Sequence, residues 1–179
     1  MRIGVYGLGN VLRRDDGFGP SAVRRLESRH EFPENVVLRD LGTPGLDLAS
    51  HFVGFDAVIL LDTARTDGQP GMLRVFDRDE ILAGDAASPR VTDHDLDVRG
   101  ALQLADLAGG GPRIVRLVGV VPEDLGTGTG LTPAVEAALG PACERARAEI
   151  ERLGVEVRRR AEPLATGAWW QDAATAASR

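Results

Sequence analysis

Two adjacent aspartates in a glycine-rich loop are the residues of this chain best suited to chemistry. Asp15 and Asp16 lie in GLGNVLRRDDGFGP, residues 7–20, directly after a short apolar stretch. Glycine adopts backbone angles that other residues avoid, so a loop of this composition can approach a ligand closely. Open α/β sheets place their ligands at the carboxyl ends of their strands. The carboxylates favour a cation as that ligand, although the same glycines would also suit a phosphate.

Two further residues stand where such a sheet would place a site. Asp62 ends the apolar run FDAVILLD, residues 55–62, and His94 precedes a helix predicted at 95–107. Because a doubly wound sheet brings the loops after neighbouring strands into one crevice, Asp16, Asp62 and His94 can meet there. Two carboxylates and one imidazole suit a borderline divalent cation such as Ni²⁺ or Zn²⁺, with positions left open for water or substrate.

Each of these side chains also has a purely structural interpretation. Aspartates before a glycine commonly form turns, and an aspartate at a strand end commonly caps the next turn. His94 can equally be a solvated residue at a helix start. We prefer Asp16 to Asp15 as the ligand, but the sequence alone does not separate the two. His30 and His51 are predicted to be ordinary helix residues.

Composition excludes several other chemistries. Arginine supplies all 21 basic residues, and a chain without lysine builds neither a Walker-type phosphate loop nor a Schiff base. No serine lies in the Gly-x-Ser-x-Gly turn of an α/β-hydrolase. The single cysteine, Cys143, falls within a predicted helix, where packing is its expected role. One cysteine forms no intrachain disulfide, in agreement with a cytoplasmic protein.

Length and charge favour a soluble protein of one domain. The 179 residues suffice for one proper core,. A net charge of −6 and a pI near 5.1 disfavour nucleic acid and anionic membranes as partners,. The longest apolar run, Ala57 to Leu61, is too short to span a bilayer, and the first ten residues lack the features of a secretory signal. We therefore expect cytoplasmic localisation, no nucleic-acid or membrane partner, and a monomer.

The predicted strands and helices alternate along the chain, which favours an α/β fold. We expect one three-layer domain over residues 1–160, with a mostly parallel five-stranded sheet, helices on both faces and one antiparallel strand at 72–76. Residues 161–179, which include Trp169 and Trp170, are expected to form a poorly ordered tail. Strands are predicted at residues 2–6, 35–40, 55–62, 72–76 and 113–121, and helices at 20–30, 46–53, 95–107 and 133–154, the last capped by Thr132.

Four segments of the chain carry a resemblance to a known family. GLGNVLRRDDGFGP at 7–20 matches the signature Gly-x-Gly-Asn-x-Leu-x-x-Asp-(Asp/Glu)-Gly-x-Gly. VILLDTA at 58–64, DHDLDVRGAL at 93–102 and LVGVVPEDL at 117–125 match further family segments. The chain thus resembles, from residue 2 to about 154, the hydrogenase maturation proteases, the endopeptidases that process the large subunit of [NiFe] hydrogenases.

The resemblance implies a metal-dependent endopeptidase. The family's metal-binding triad falls on Asp16, Asp62 and His94, which would then be both the metal ligands and the catalytic residues. The expected substrate is a nickel-loaded [NiFe] hydrogenase large-subunit precursor that loses a C-terminal peptide. The cation would be Ni²⁺ supplied by that substrate, with Zn²⁺ or Cd²⁺ able to occupy the same site. Whether the ion also assists hydrolysis, or Asp16 serves as general base, is a separate hypothesis.

Two alternative functions stay open. The same triad would serve a non-catalytic chaperone that holds the nickel site of a partner without cutting it. A nucleotide-binding module is a weaker alternative, supported by Gly7-Leu8-Gly9 after a strand and by Asp40 at the end of the next strand. Against it, Leu12 stands where the third glycine belongs, and two aspartates would repel a pyrophosphate.

Overall fold

A five-stranded sheet forms the centre of the molecule in a computed structural model that describes residues 1–83 and 98–165. The strands are β1 Ile3–Leu8, β2 His30–Glu31, β3 Val36–Gly42, β4 Ala57–Thr63, β5 Leu73–Asp77, β6 Ile114–Val120 and β7 Arg158–Arg159. The main sheet has the order β3-β1-β4-β6-β5, and β2 pairs with β7 in a separate ladder. Only β5 runs antiparallel in the main sheet. The predicted fold and the antiparallel strand at 72–76 are both confirmed.

Helices cover both faces of this sheet, as predicted. They are α1 Phe18–Arg29, α2 Leu48–Phe52, α3 Arg78–Ala83, α4 Val98–Leu107 and α5 Pro133–Arg152. Ile59 and Leu61 of β4 belong to the core shared with α1 and α5. Val58 and Leu60 belong to the core shared with α2 and α4. Because successive side chains of a strand alternate between faces, Asp62 is placed on the face covered by α4.

The largest local difference from the sequence prediction is α3, which was not expected. Asp77 caps this helix, since its Oδ1 accepts hydrogen bonds from the backbone N–H groups of Asp79 and Glu80, both at 3.0 Å. Glu80 Oε2 accepts in turn from the N–H of Asp77 at 2.7 Å. This reciprocal pair is a capping box. The helix predicted at 46–53 is also divided, into a 3-10 turn at Gly45–Asp47 followed by α2.

The longest helix, α5, begins at Pro133 as predicted, but its predicted cap is wrong. Thr132 occupies the N-cap position and makes no capping bond through its side chain. Its hydroxyl instead donates to the carboxylate of Asp15 at 3.0 Å. The hydroxyl of Thr132 therefore bonds to a residue distant in sequence instead of to the first turn of α5.

The chain returns to the end of α1 after residue 160. Leu164 N donates to Ser28 O at 2.9 Å, and Ser28 Oγ donates to Leu164 O at 3.0 Å. Residues 166–179, with Trp169 and Trp170, lie outside the described part of the chain, so the predicted tail stays a prediction. Within residues 1–83 and 98–165, no helix has the length and apolar character needed to cross a membrane.

Candidate metal and peptidase site

Glycines allow the loop after β1 to cross the ends of two strands at close range. Gly9 has a φ of +124°, and a Cβ there would collide with the carbonyl oxygen of Asp16. A Cβ at Gly19 would collide with the carbonyl oxygens of Leu8 and Leu61. The start of α1 therefore lies directly on β1 and β4. This contact brings the aspartate pair of the loop to the end of the strand that carries Asp62.

Asp16 lies in a 3-10 helix, Arg14–Gly17, immediately before α1. Its side chain is fully buried. Its Oδ2 accepts a hydrogen bond from the backbone N–H of Asn10 at 3.0 Å. The loop thus holds this carboxylate in one position at the carboxyl edge of the sheet.

Asp62 is buried at the same edge, with 1% of its surface exposed. Its Oδ1 accepts a hydrogen bond from the backbone N–H of Thr63 at 2.6 Å. Its Oδ2 is also buried and has no hydrogen-bond partner among the described residues. Burial raises the pKa of Asp62 well above its ordinary value, and the nearby negative charge of Asp16 raises this pKa further,.

These two carboxylates fit a divalent cation as ligands. A buried carboxylate whose pKa is raised by burial and by a neighbouring acid is stabilised when a proton or a metal ion neutralises it,. Oxygen Oδ2 of Asp62 is an open donor atom of the kind that a metal ion takes. The described ranges contain no group of three His, Cys, Asp or Glu side chains placed to hold a metal ion, so a third ligand must come from elsewhere.

His94, the predicted third ligand, lies in the range 84–97, outside the described residues. The chain resumes at Val98, the first residue of α4, on the face of the sheet where Asp62 is placed. The structure therefore brings Asp16 and Asp62 together and leaves the position of His94 untested.

Asp15 has a role that the sequence could not distinguish from that of its neighbour. Its carboxylate is fully buried and accepts four hydrogen bonds. The donors are the backbone N–H groups of Glu123, Asp124 and Thr132, at 2.9, 2.9 and 2.7 Å, and the hydroxyl of Thr132 at 3.0 Å. Both of its oxygens are occupied, so Asp15 is a structural residue and Asp16 is the candidate ligand.

The other polar residues considered from the sequence lie away from this edge. His51 is in α2, as predicted, whereas His30 follows the end of α1 in β2 and is buried there, so its helical assignment is wrong. Cys143 of α5 is buried against α1, with Sγ 3.5 Å from Ala22 O. Burial raises the pKa of this thiol to about 12, which fits the predicted packing role.

A cleft of about 430 Å³ lies at the opposite end of the sheet and contains none of the predicted site residues. It is lined by the start of β6, the end of β5 and the end of α5. Glu149 lies in it, almost buried, with Arg152 at 2.7 Å and Arg116 at 3.7 Å. The charges of this cleft are largely paired, so its size alone does not make it the functional site.

Comparison with known proteins agrees with the fold. The family described as "Hydrogenase maturation protease" matches residues 20–149. Hydrogenase 2 maturation protease of Escherichia coli K12 is 34% identical over 157 residues, which cover 87% of this chain and 94% of that protein. The hydrogenase expression/formation protein HupD of Bradyrhizobium diazoefficiens is 35% identical over 165 residues, covering 92% and 85%.

Solved structures show the same relationship. The hydrogenase maturating endopeptidase HybD from E. coli superposes with a TM-score of 0.82 at 34% identity, covering 89% of this chain and 98% of that one. The [NiFe] hydrogenase maturation protease HybD from Thermococcus kodakarensis gives a TM-score of 0.64 at 27% identity, with coverage of 86% and 99%.

The layered α/β fold and these comparisons together define a hydrolase of the peptidase class. The chain belongs to the hydrogenase maturation protease family, as the resemblance of its motifs indicated.

Proposed function

We propose that this protein is a metal-dependent endopeptidase that removes a C-terminal peptide from a nickel-loaded [NiFe] hydrogenase large-subunit precursor. The observation that carries the proposal is the buried Oδ2 of Asp62, which has no hydrogen-bond partner among the described residues and lies near Asp16. Family membership supports the peptidase activity. The names of the relatives support a hydrogenase subunit as the substrate.

Recognition of the substrate follows from the charge of this site. Asp16, Asp62 and His94 would bind the Ni²⁺ that the precursor already holds, and Zn²⁺ or Cd²⁺ could take the same place. An empty precursor would offer no cation to the two buried carboxylates and would therefore bind weakly. Burial and the charge of Asp16 raise the pKa of Asp62, and a bound cation would lower it again by favouring the ionised carboxylate,. Processing would thereby wait until nickel has been inserted.

Hydrolysis requires a base and a polarised carbonyl. The bound cation would supply Lewis acidity at the scissile carbonyl. If Asp16 does not coordinate the cation, it is instead the candidate general base, since the N–H of Asn10 holds its buried carboxylate in place,. Asp62 would orient the substrate through Oδ2, since Thr63 fixes its other oxygen.

The test is processing of a purified, nickel-loaded precursor by wild type, Asp16→Asn, Asp62→Asn and His94→Ala, followed on gels and by mass spectrometry of the released peptide. Wild type should shorten the loaded precursor and leave a nickel-free precursor intact. Each variant should lose processing by at least about a hundredfold while keeping the fold, because each loses a ligand of the reacting complex. Full processing by one variant would remove that residue from the site.

Two control variants match these changes in charge and type. Asp79→Asn removes an exposed carboxylate at the far end of the sheet, and His51→Ala removes an imidazole from α2. Both should process the precursor at the wild-type rate. Loss of activity in either would mean that the assay reports general damage.

The same assay separates the proposal from the two alternatives. A chaperone would bind the loaded precursor and leave its length unchanged. A nucleotide-binding module would bind NAD, FAD or ATP with saturable micromolar affinity, which the buried carboxylates of the glycine loop disfavour. We further propose that the protein acts as a monomer in the cytoplasm, which sedimentation and cell fractionation would test.

A further inference from the structure

We propose that Asp15 is a positioning residue, which fixes Asp16 by tying the glycine loop to the segment between β6 and α5. This inference rests on the proposed function only for its kinetic consequence. We call residues 121–132, which follow β6, the anchoring segment. The position of Asp16 depends on this anchor because the two aspartates share one turn of 3-10 helix.

The anchoring segment follows β6, which lies beside β4, the strand that carries Asp62. Strand β6 pairs with β4 in parallel, with Asp62 opposite Gly119 and Thr63 opposite Val120. Ala64 N then donates to Val120 O at 2.8 Å. The segment therefore leaves the sheet next to Asp62, at the carboxyl edge where the glycine loop also lies. Any displacement of the segment acts directly on the site.

The glycine loop and the anchoring segment contact each other through several backbone bonds. Asp15 N donates to Asp124 O at 3.1 Å, Arg14 N donates to Gly128 O at 2.9 Å, and Gly128 N donates to Leu12 O at 2.9 Å. Arg14 also forms an ion pair with Asp124 at 3.2 Å. Arg14 has a φ of +43°, an uncommon conformation for a residue other than glycine,. These bonds hold it there.

The carboxylate of Asp15 is the centre of this connection. It accepts four hydrogen bonds, all from the anchoring segment, whereas each of the other contacts is a single bond. A buried carboxylate is stable only when such donors surround it, so its charge and the segment's position depend on each other. Asparagine has nearly the same shape but presents an N–H group either to the three donors at Oδ2 or to the N–H of Thr132 at Oδ1. Asp15→Asn therefore loosens the segment without leaving a cavity.

The test compares amide hydrogen exchange and precursor processing in wild type, Asp15→Asn, Thr132→Val and Thr132→Ser. The amide of Asn10 reports the position of Asp16 because it donates to Oδ2 of that residue. Asp15→Asn should speed exchange at Asn10 by about tenfold or more while amides of β4 keep their protection. Its kcat/KM should fall by about tenfold to a hundredfold, as expected when a group that binds the reacting complex is misplaced. Thr132→Val should show smaller changes of the same kind, and Thr132→Ser, which keeps the hydroxyl, should restore wild-type behaviour.

Wild-type protection at Asn10 in Asp15→Asn would overturn the proposal, as would an unchanged kcat/KM. If Asp15→Asn does not fold, the comparison of Thr132→Val with Thr132→Ser tests the proposal by the same two measurements. If the wild-type protein does not process the precursor, the proposed function is overturned. The positioning role of Asp15 is then still tested by amide exchange at Asn10.

Discussion

Asp15 and Asp16 are neighbours of the same chemical type, yet their surroundings give them different roles. Both are fully buried. Asp15 is surrounded by four donors from the anchoring segment, and Asp16 lies near Asp62 at the carboxyl edge. A carboxylate saturated with donors stabilises the fold, whereas the raised pKa of Asp62 beside Asp16 reflects a cost in stability,. Such a cost in stability is expected at a binding site, where charged side chains are kept in place for a ligand.

The cost at Asp62 predicts the effect of Asp62→Asn on stability when metal is removed with a chelator. The folded-state pKa of Asp62 lies above its unfolded value, so the unfolded chain loses this proton first as pH rises. Wild type therefore loses stability above about pH 4, through the interval up to the folded-state pKa, and this loss is absent from the variant. At neutral pH the variant should be more stable by about 1–3 kcal/mol.

Urea unfolding between pH 3 and pH 8 measures this difference. The gain of Asp62→Asn over wild type should be small below pH 4, where the carboxyl is protonated in both states, and should increase with pH. The control variant Asp79→Asn, at an exposed position, should follow wild type. A gain that is equal at all pH values would contradict a buried ionisation as its cause.

At the scale of elements, the site depends on how closely α1 approaches β1 and β4. Gly7 and Gly19 meet where the helix begins, since a Cβ on Gly7 would collide with the carbonyl group of Gly19. The tight contact places the 3-10 helix with Asp16 over the end of β4. The glycines of this loop therefore allow one backbone segment to pack directly against another. From the sequence alone, they indicated only that the loop could approach a ligand closely.

Gly19→Ala should disrupt this contact. The added methyl group would collide with the carbonyl oxygens of Leu8 and Leu61, and backbone atoms cannot move aside as a flexible side chain would. We expect a loss of about 3 kcal/mol or more in the free energy of unfolding, together with loss of processing. Thermal or urea unfolding measures the first quantity and the gel assay the second.

Gly140→Ala is the matched control. Gly140 lies inside α5, and outside its own helix the nearest atom to an added Cβ is Arg25 Nη2 at an ordinary 3.7 Å. This variant should change the free energy of unfolding by less than about 1 kcal/mol, because the helix preference of alanine is opposed by contact of its Cβ with the ring of Pro141,. Similar destabilisation by both substitutions would contradict the packing argument.

At the scale of the whole molecule, α1 and α5 pack together over one face of the sheet and seal its larger core. Cys143 lies in this interface with 3% of its surface exposed. It is the single cysteine of the chain, so the reactivity of this one thiol reports whether the core is intact. Its pKa of about 12 lies about three units above the ordinary 9.0, and its thiolate is correspondingly rare at neutral pH,.

Native protein at pH 8 should therefore react with a thiol reagent about a thousandfold more slowly than unfolded protein. Absorbance of the released chromophore, with and without guanidinium, measures both rates. A matched control is Ala137→Cys in a Cys143→Ala background, because residue 137 is exposed on the same helix. That thiol should react rapidly in the native state. Rapid reaction of Cys143 itself would show that the interface between α1 and α5 opens readily.

The sequence by itself determined the features that depend on near neighbours. The apolar run ending at Asp62 predicted a buried central strand, because a strand covered on both faces needs apolar residues throughout. Alternating elements predicted the layered fold, and the motif around Asp16 indicated the family. The capping box of Asp77 and Glu80 was readable in the same way, since its partners are three residues apart.

Only the tertiary structure decided what depends on distant residues. It separated Asp15 from Asp16, because the donors around Asp15 lie more than a hundred positions away, and it diverted Thr132 from the cap that its sequence position predicts. It also showed that Oδ2 of Asp62 is buried with no hydrogen-bond partner among the described residues. Hydrogen bonds of this kind form between segments that folding brings together, so no local pattern specifies them.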